Sequence, residues 1–351
     1  MFQDMTIEQL LEEYKRGGLT LIDVRSPSEF AEATVPGSLN IPLFDDEERR
    51  QVGTLYKQVS IPAAKERGLE IVSAKLPAFI KQFSQLEGRK AVFCWRGGMR
   101  SKTTATVLSL MGIRVYRLTG GFRAYRKWVV EELERFAFKP HCYVVSGYTG
   151  SGKTKLLQRL AERGYPVLDL ETMAQHRGSI FGQIGLKPNN QKTFESLLVH
   201  KLLEVNDSPF VLLEAESKRV GKAVLPGFLV EGKERGTPLF IRMPAAERVR
   251  NIMEEYRPEE HKDACLDAFH QIKRRIHTPI AAEMEAHLIA DRFPEAIALL
   301  LEHYYDPRYE HAATQYGSER VYIDAGNVDE AVEAIVRMLP AVKPENAAAM
   351  R

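Results

Sequence analysis

"HCYVVSGYTGSGKTKLLQRLAERG", residues 141–164, runs an apolar stretch into a glycine-rich turn and then into an amphipathic segment closed by Gly164. Gly147 to Thr154 fits G-x-x-x-x-G-K-[ST] and sits where that pattern has a mechanism, after a strand and ahead of a helix. Gly147, Gly150 and Gly152 allow backbone N–H groups to turn inward around a polyphosphate. Lys153 brings charge to the terminal phosphates, and Thr154 offers a hydroxyl to Mg2+. The motif recognises phosphates and leaves open the group attached to them.

Outward from this stretch, strands are expected at 165–171 ("YPVLDLE"), 210–217 ("FVLLEAES"), 237–244 ("TPLFIRMP") and 320–326 ("RVYIDAG"), with helical segments between them. That alternation predicts a P-loop NTPase-like parallel-sheet domain. Residues from 245 to about 310 are almost wholly helical in pattern, which implies a helical insertion before the last strand. An acid at the end of a neighbouring strand usually completes Mg2+ binding; here Glu214 and Glu216 stand in place of an aspartate, or else form a solvated strand end. "HRGSIFG" (176–182) sets His176, Arg177 and Ser179 beside two glycines, either as a substrate-orienting loop or as a polar turn.

Before this domain, "LTLIDVRS" (19–26), "AVFCW" (91–95) and "VYRLTGG" (115–121) read as strands of a smaller α/β domain. The helix "SKTTATVLSLMG" is expected to open on Ser101 and stop at Gly112. "GGFRAYRKWVVEELERFAFKPH" reads as a closing helix and a linker, which sets domains at 1–137 and 138–351. A chain of 351 residues suits two domains. Composition is that of a folded globular chain, with 44% hydrophobic and 27% charged residues. No apolar run is long enough to span a membrane, and the N-terminus reads as an acidic amphipathic helix rather than a signal peptide, so a cytoplasmic protein is expected. "PAVKPENAAAMR" (340–351) is expected to fray. Net charge is only +2, yet residues 88–130 hold ten Lys or Arg and no Asp or Glu, which predicts a local basic face.

Of three cysteines, Cys142 falls inside a strand and Cys265 on an amphipathic helix, where small buried hydrophobes are expected. No spacing suggests zinc, and reduced thiols are expected. Cys94 differs. In "FCWRGGMRS" (93–101) it ends a strand, and a loop with Gly97, Gly98, Arg96 and Arg100 leads to the helix at Ser101. A thiol at a helix N-terminus beside guanidinium groups is favoured as the reactive thiolate, and the loop amides can wrap an anion attached to or leaving the sulfur. A sulfur open to solvent is the expectation.

"LIDVRSPSEFAEATVPGSLNIPL" (21–43) and "CWRGGMRS" (94–101) resemble a rhodanese-like domain, with one residue more between Cys94 and Arg100 than the common sulfurtransferase loop has. The resemblance implies a persulfide-type carrier, and the longer loop a larger anion or different chalcogen chemistry. With "LFDDEERRQVGTLYKQ", "HRGSIFG" and "LLEAES" added, the chain is similar along nearly its whole length to the tRNA 2-selenouridine synthase family. That family implies conversion of wobble 2-thiouridine to 2-selenouridine through an S-geranyl intermediate, with geranyl diphosphate and selenophosphate as co-substrates. It implies tRNA, through its anticodon loop, as partner, and an enzyme that makes selenophosphate as supplier. On this resemblance Cys94 carries selenium, Arg96 and Arg100 bind selenophosphate, Asp23 and Arg25 brace the loop, and the P-loop holds geranyl diphosphate, with ATP left open.

"GGFRAYRKW" (120–128) interleaves aromatics with Arg123, Arg126 and Lys127, and Tyr125 sits among them. This is the mixture that stacks and neutralises a single-stranded loop. The alternative is an amphipathic helix with aromatics inward and cations in water. Two rival functions share these motifs: an ATP-dependent sulfurtransferase working through a Cys94 persulfide, and a nucleotide-gated binding module whose rhodanese fold is not catalytic.

Overall fold

The computed structural model describes residues 2–309 and 320–340; the rest of the segment expected to fray, from 341 onward, lies outside the described residues. The chain divides into two compact units, Met1–Arg135 with Glu195–Leu197, and Phe136–Phe194 with Leu198–Arg351. No described helix is long and apolar enough to cross a membrane.

The first unit holds β1 (Gln3–Met5), α1 (Ile7–Arg16), β2 (Leu19–Asp23), α2 (Pro27–Glu32), β3 (Leu39–Asn40), α3 (Asp46–Gln58), α4 (Ile61–Ser84), β4 (Arg89–Phe93), α5 (Met99–Leu110), β5 (Tyr116–Leu118) and α6 (Gly121–Arg135). Its strands form one sheet in the order β1-β5-β4-β2-β3, with every pairing parallel. β4 is central, so Ala91, Val92 and Phe93 are fully buried, as strands covered on both faces require. Cys94 follows at the carboxyl end of that strand, the end where parallel sheets place ligands. Two short strands escape sequence reading. β1 spans three residues ahead of α1, and β3 spans two, too few for a period to show.

The second unit holds β6 (His141–Gly147), α7 (Lys153–Glu162), β7 (Val167–Leu168), α8 (Leu170–Ala174), α9 (Gln191–Val205) apart from Glu195–Leu197, which group with the first unit, β8 (Phe210–Glu214), the hairpin β9 (Arg219–Val220) and β10 (Ala223–Val224), α10 (Gly227–Glu234) and β11 (Thr237–Arg242). The helical segment follows as α11 (Ala245–Tyr256), α12 (Lys262–Ile272), α13 (Thr278–Ile289) and α14 (Phe293–Leu300), before β12 (Val321–Asp324) and α15 (Val328–Met338). α14 runs into a π-helical turn at Leu301–Tyr305. The sheet order is β12-β11-β6-β8-β7, all parallel, with the P-loop strand at its centre. Val145, Leu156, Leu212 and Ile241 are fully buried in its core, where a large-to-alanine change costs about 2–5 kcal/mol. α12, α13 and α14 build a separate apolar cluster around Phe269, Met284 and Phe293.

Candidate functional site

In the first unit the chain leaves β4 at Cys94 and re-enters a helix at Met99, with Gly98 as the cap. The helix therefore starts two residues before Ser101, because a glycine with no side chain suffices where a loop bends sharply. Ser101 lies in its first turn, with Oγ 3.2 Å from Cys94 Sγ and donating to the Gly98 carbonyl at 3.3 Å. Cys94 is 3% exposed, so the expected solvent-open sulfur is not found. Two bonds explain this: Phe122 N–H donates to the Cys94 carbonyl at 2.8 Å, and Arg123 N–H to the Trp95 carbonyl at 2.9 Å, drawing the strand end under the first turn of α6. Among the described residues, the N–H groups of residues 95 to 100 meet no protein acceptor. A loop whose carbonyls are taken and whose amides are free is an anion cradle. Gly97 is needed in it: φ is +63°, and a Cβ would come 2.9 Å from Gly120 N and the Leu118 carbonyl.

Asp23 and Arg25 are buried and paired, with Arg25 Nη2 2.5 Å from Asp23 Oδ2 and also donating to the Ala33 carbonyl at 2.6 Å. The Arg25 guanidinium lies 4.3 Å from the centre of the Phe122 ring, so this pair supports the residue that binds the Cys94 carbonyl. Arg100 does not face the sulfur freely. Glu29 holds it through both guanidinium nitrogens, one contact at 3.1 Å, and pairs with Arg49 as well; these cations and the Ser26 N–H bring the Glu29 carboxyl below its ordinary range despite burial. Arg96 is exposed on the loop. Arg117, which sequence reasoning passed over, donates to the Gly97 carbonyl at 3.1 Å, is clamped by Asp4 at 2.7 Å, and lies within electrostatic reach of Cys94. Trp95, 38% exposed and packed on Phe122 at 5.8 Å, was also missed. On α6 the inward-aromatic alternative holds: Phe122 and Tyr125 are buried, which removes Tyr125 as a base-stacking residue. Arg126 pairs with Glu195 at 2.6 Å, and of the predicted RNA contacts Arg123 and Lys127 remain exposed.

In the second unit Gly147 ends β6 and Lys153 begins α7, so the loop between them delivers its amides to a helix N-terminus. Gly152 adopts φ +66°, and a Cβ there would press on Val328 and Asn251, so no other residue fits that turn without strain. Ser146, Gly147, Gly150, Gly152, Lys153, Thr154 and the Glu171 and Glu216 carboxyls line one cleft of about 200 Å3. Thr154 Oγ1 donates to Glu171 Oε2 at 2.7 Å. The acid beside the P-loop threonine is thus Glu171 of α8, not a strand-end residue of β8. The run "YPVLDLE" ends on it, which is the signal a sequence reader could have weighed.

Glu214 is withdrawn from any such role. It is fully buried, one oxygen accepts from Leu170 N–H at 3.0 Å while the other has no partner, and burial together with Asp169 and Glu171 raises it well above the carboxylate range. Glu216 does face the cleft, and burial, with the charge of Glu171, lifts its pKa to about 7 against the opposing pull of Lys153. His176 and Arg177 are both held by protein partners, and Arg177 also lines the cleft. His176 Nδ1 accepts from Gly178 N–H, its ring fills the space over Gly221 and Gly182, and burial lowers its pKa. Arg177 is tied to Glu255 at 2.9 Å and to the Ile184 carbonyl at 2.8 Å, and lies over the Tyr256 ring. Ser179 remains open to the cleft, near the Tyr256 hydroxyl. Burial pushes Cys142 and Cys265 up to about 11 each, as inert core thiols. Among the described residues no three His, Cys, Asp or Glu side chains gather as a metal site.

A second cavity, apolar, opens beside this cleft within the helical segment. Thr149, Ser179, Ile252, Tyr256 and Tyr305 line both spaces. Beyond them the walls are hydrocarbon and aromatic, with Phe269, Met284, Phe293 and Leu301 among them.

Residues 6–127 match the model of the rhodanese-like domain, and residues 140–282 that of the tRNA 2-selenouridine synthase AAA domain. The chain is 32% identical over 310 residues to a tRNA 2-selenouridine synthase of Nitrosomonas europaea, covering 86% of this chain and 80% of the relative. To one of a Sulfurovum species it is 31% identical over 352 residues, covering 90% and 94%. A solved N-terminal domain of a Clostridium difficile 630 protein, described as ATP/GTP-binding, is 34% identical at a TM-score of 0.35, covering 36% of this chain and 99% of that one. With relatives above 30% identity that span both units, and both domain models matched in the same order, the chain belongs to the tRNA 2-selenouridine synthase family.

Proposed function

We propose that this tRNA-modifying enzyme makes 2-selenouridine from wobble 2-thiouridine by way of an S-geranyl intermediate, and that its P-loop holds geranyl diphosphate. One observation carries the choice of donor: the phosphate cleft and the apolar cavity adjoin, with five residues lining both. A diphosphate with a hydrocarbon tail finds a polar space for one end and an apolar space, of about 60 Å3, for the start of the other, whereas the sugar of a nucleotide would meet apolar walls there. In the first step the thiocarbonyl sulfur of the base bonds to C1 of the donor, and the C1–O bond breaks with its electron pair leaving on pyrophosphate. Loop amides and Lys153 stabilise that leaving charge. The Thr154 hydroxyl and the Glu171 carboxylate, 2.7 Å apart, are oxygen donors of the kind Mg2+ takes and would be the residues that hold it. When bound, the ion would supply further neutralisation of the leaving group.

The exchange step balances without oxidant or reductant when selenium enters as the nucleophile of selenophosphate. A C2–Se bond forms, the C2–S bond breaks with its pair going to geranylthiolate, and water takes the phosphoryl group as inorganic phosphate. Cys94 acts as the nucleophile that first displaces geranylthiolate and is then displaced by selenium, because selenium parked on its sulfur would need a separate reductant for release. Arg96 and the free amides of residues 95 to 100 receive selenophosphate, and the loop opens to bring the buried sulfur to the base. Arg123, Lys127 and the exposed Trp95 ring meet the anticodon loop.

The test is mass spectrometry of 2-thiouridine-containing tRNA incubated with the purified protein and geranyl diphosphate, then with selenophosphate. S-geranyl-2-thiouridine followed by 2-selenouridine is expected, without ATP. Formation of 2-thiouridine from uridine, dependent on ATP, would mark the sulfurtransferase instead.

A further inference from the structure

We propose that Met284 and Leu288 of α13 close the far end of the apolar cavity and so set the length of prenyl chain the enzyme accepts, an inference that rests on the proposed prenyl donor.

The mouth is fixed by residues shared with the phosphate cleft, two of which, Ile252 and Tyr256, belong to α11. α14 packs on α11 and also on α13, while α13 packs on α12 and α14. α12 belongs to the small cluster of Ile184, Cys265 and Ala268 that packs with the boundary residue Tyr256, whereas α13 supplies no residue shared with the cleft, so α13 is the helix set back from it. Only two of its residues reach the cavity, Met284 and Leu288, and they lie one turn apart on the same face. Met284 is 1% exposed and Leu288 8%, and both belong to the apolar cluster of the helical segment, so their side chains end against packed neighbours rather than solvent.

Two physical points turn this wall into a length gauge. The diphosphate is pinned by the P-loop and the apolar space holds only about 60 Å3, so each added isoprene unit presses on the walls away from the cleft, Met284 and Leu288 of α13 among them. The lining is also polar only near the mouth, where Thr149, Ser179, Tyr256 and Tyr305 stand; burial raises both tyrosine hydroxyls well above their ordinary range, which keeps them neutral donors at the boundary. Past that boundary nothing but apolar contact discriminates, and apolar contact discriminates by volume. Methionine is unbranched and rotates freely, which makes Met284 the side chain whose truncation opens the end of the cavity with least disturbance.

The experiment compares kcat/KM for dimethylallyl, geranyl and farnesyl diphosphate, with 2-thiouridine tRNA as acceptor, in wild type and in Met284→Ala, Met284→Val and Leu288→Phe. The alanine variant should raise the farnesyl-to-geranyl ratio at least about tenfold, and the valine variant in the same direction by less, which carries the test if Met284→Ala does not fold. Leu288→Phe should lower geranyl use while sparing dimethylallyl. A wild type that transfers geranyl, with a farnesyl-to-geranyl ratio unmoved within threefold in the folded variants, overturns the gauge and leaves the donor reading standing. A wild type that transfers no prenyl group of any length overturns both.

Discussion

In the Cys94 loop, backbone amides crown a buried sulfur while two of the nearby guanidiniums are engaged, Arg100 by Glu29 and Arg117 by Asp4, and Arg96 is exposed. In the P-loop a similar strand-to-helix turn leads to Lys153, which makes no ion pair among the described residues, with Glu171 and Glu216 lining the same cleft. Both turns offer N–H groups to an anion at the end of a central parallel strand. They differ in what accompanies those groups. A cradle made mostly of amides beside a thiol suits an anion held next to the sulfur while the base is exchanged. A cradle with a mobile cation and a carboxylate suits a polyphosphate that departs with charge and, on the proposed mechanism, with Mg2+.

The largest expected effect lies in the first cradle. Cys94→Ser should lower selenium incorporation at least about 10^3-fold, as loss of a nucleophile does, while geranylation of 2-thiouridine continues at a comparable rate. Quantifying both modified nucleosides from one reaction checks this; loss of both together would dissolve the division between the cradles. Next, Lys153→Ala should cut geranylation by about 10^2–10^3-fold, the scale of removing one donor from a developing anion, yet leave selenium exchange measurable on tRNA geranylated beforehand. Equal loss on that substrate would show that the P-loop also serves the exchange.

The smallest effect comes from Glu216, whose pKa is lifted to about 7. Below that pH its carboxyl is neutral; above it, the cleft gains a negative charge beside the phosphates. Pyrophosphate binding measured by calorimetry without divalent metal should therefore weaken several-fold from pH 6 to pH 8 relative to Glu216→Gln, in which this charge cannot appear. Parallel pH curves for wild type and variant would place Glu216 outside the phosphate field.

How much the sequence disclosed depends on the range over which its signals act. The P-loop, the long strands and the helical segment are local patterns, and β6, β8, β11 and α11 through α14 lie where periodicity put them. The cleft acid was hidden because Glu171 meets Thr154 across 17 positions of chain, and the loop brace because Glu29 meets Arg100 across 71. No spacing rule joins such residues. The burial of Cys94 was equally out of reach, since it depends on Phe122 donating to a carbonyl from a helix that a one-dimensional reading could only describe as amphipathic. The same holds for Tyr125 and Arg126: composition marked them for RNA, and packing turned one inward and gave the other to Glu195.

The π-helical turn at Leu301–Tyr305 carries one residue more than an α-helical turn would in the same rise. Its last residue, Tyr305, stands where hydrocarbon meets phosphate. Deleting a single position from that turn would restore ordinary winding and change which of its side chains face the cavity, with Tyr305 among those displaced. Donor handling could then be lost by a change of helical phase alone, with the P-loop and the thiol both intact.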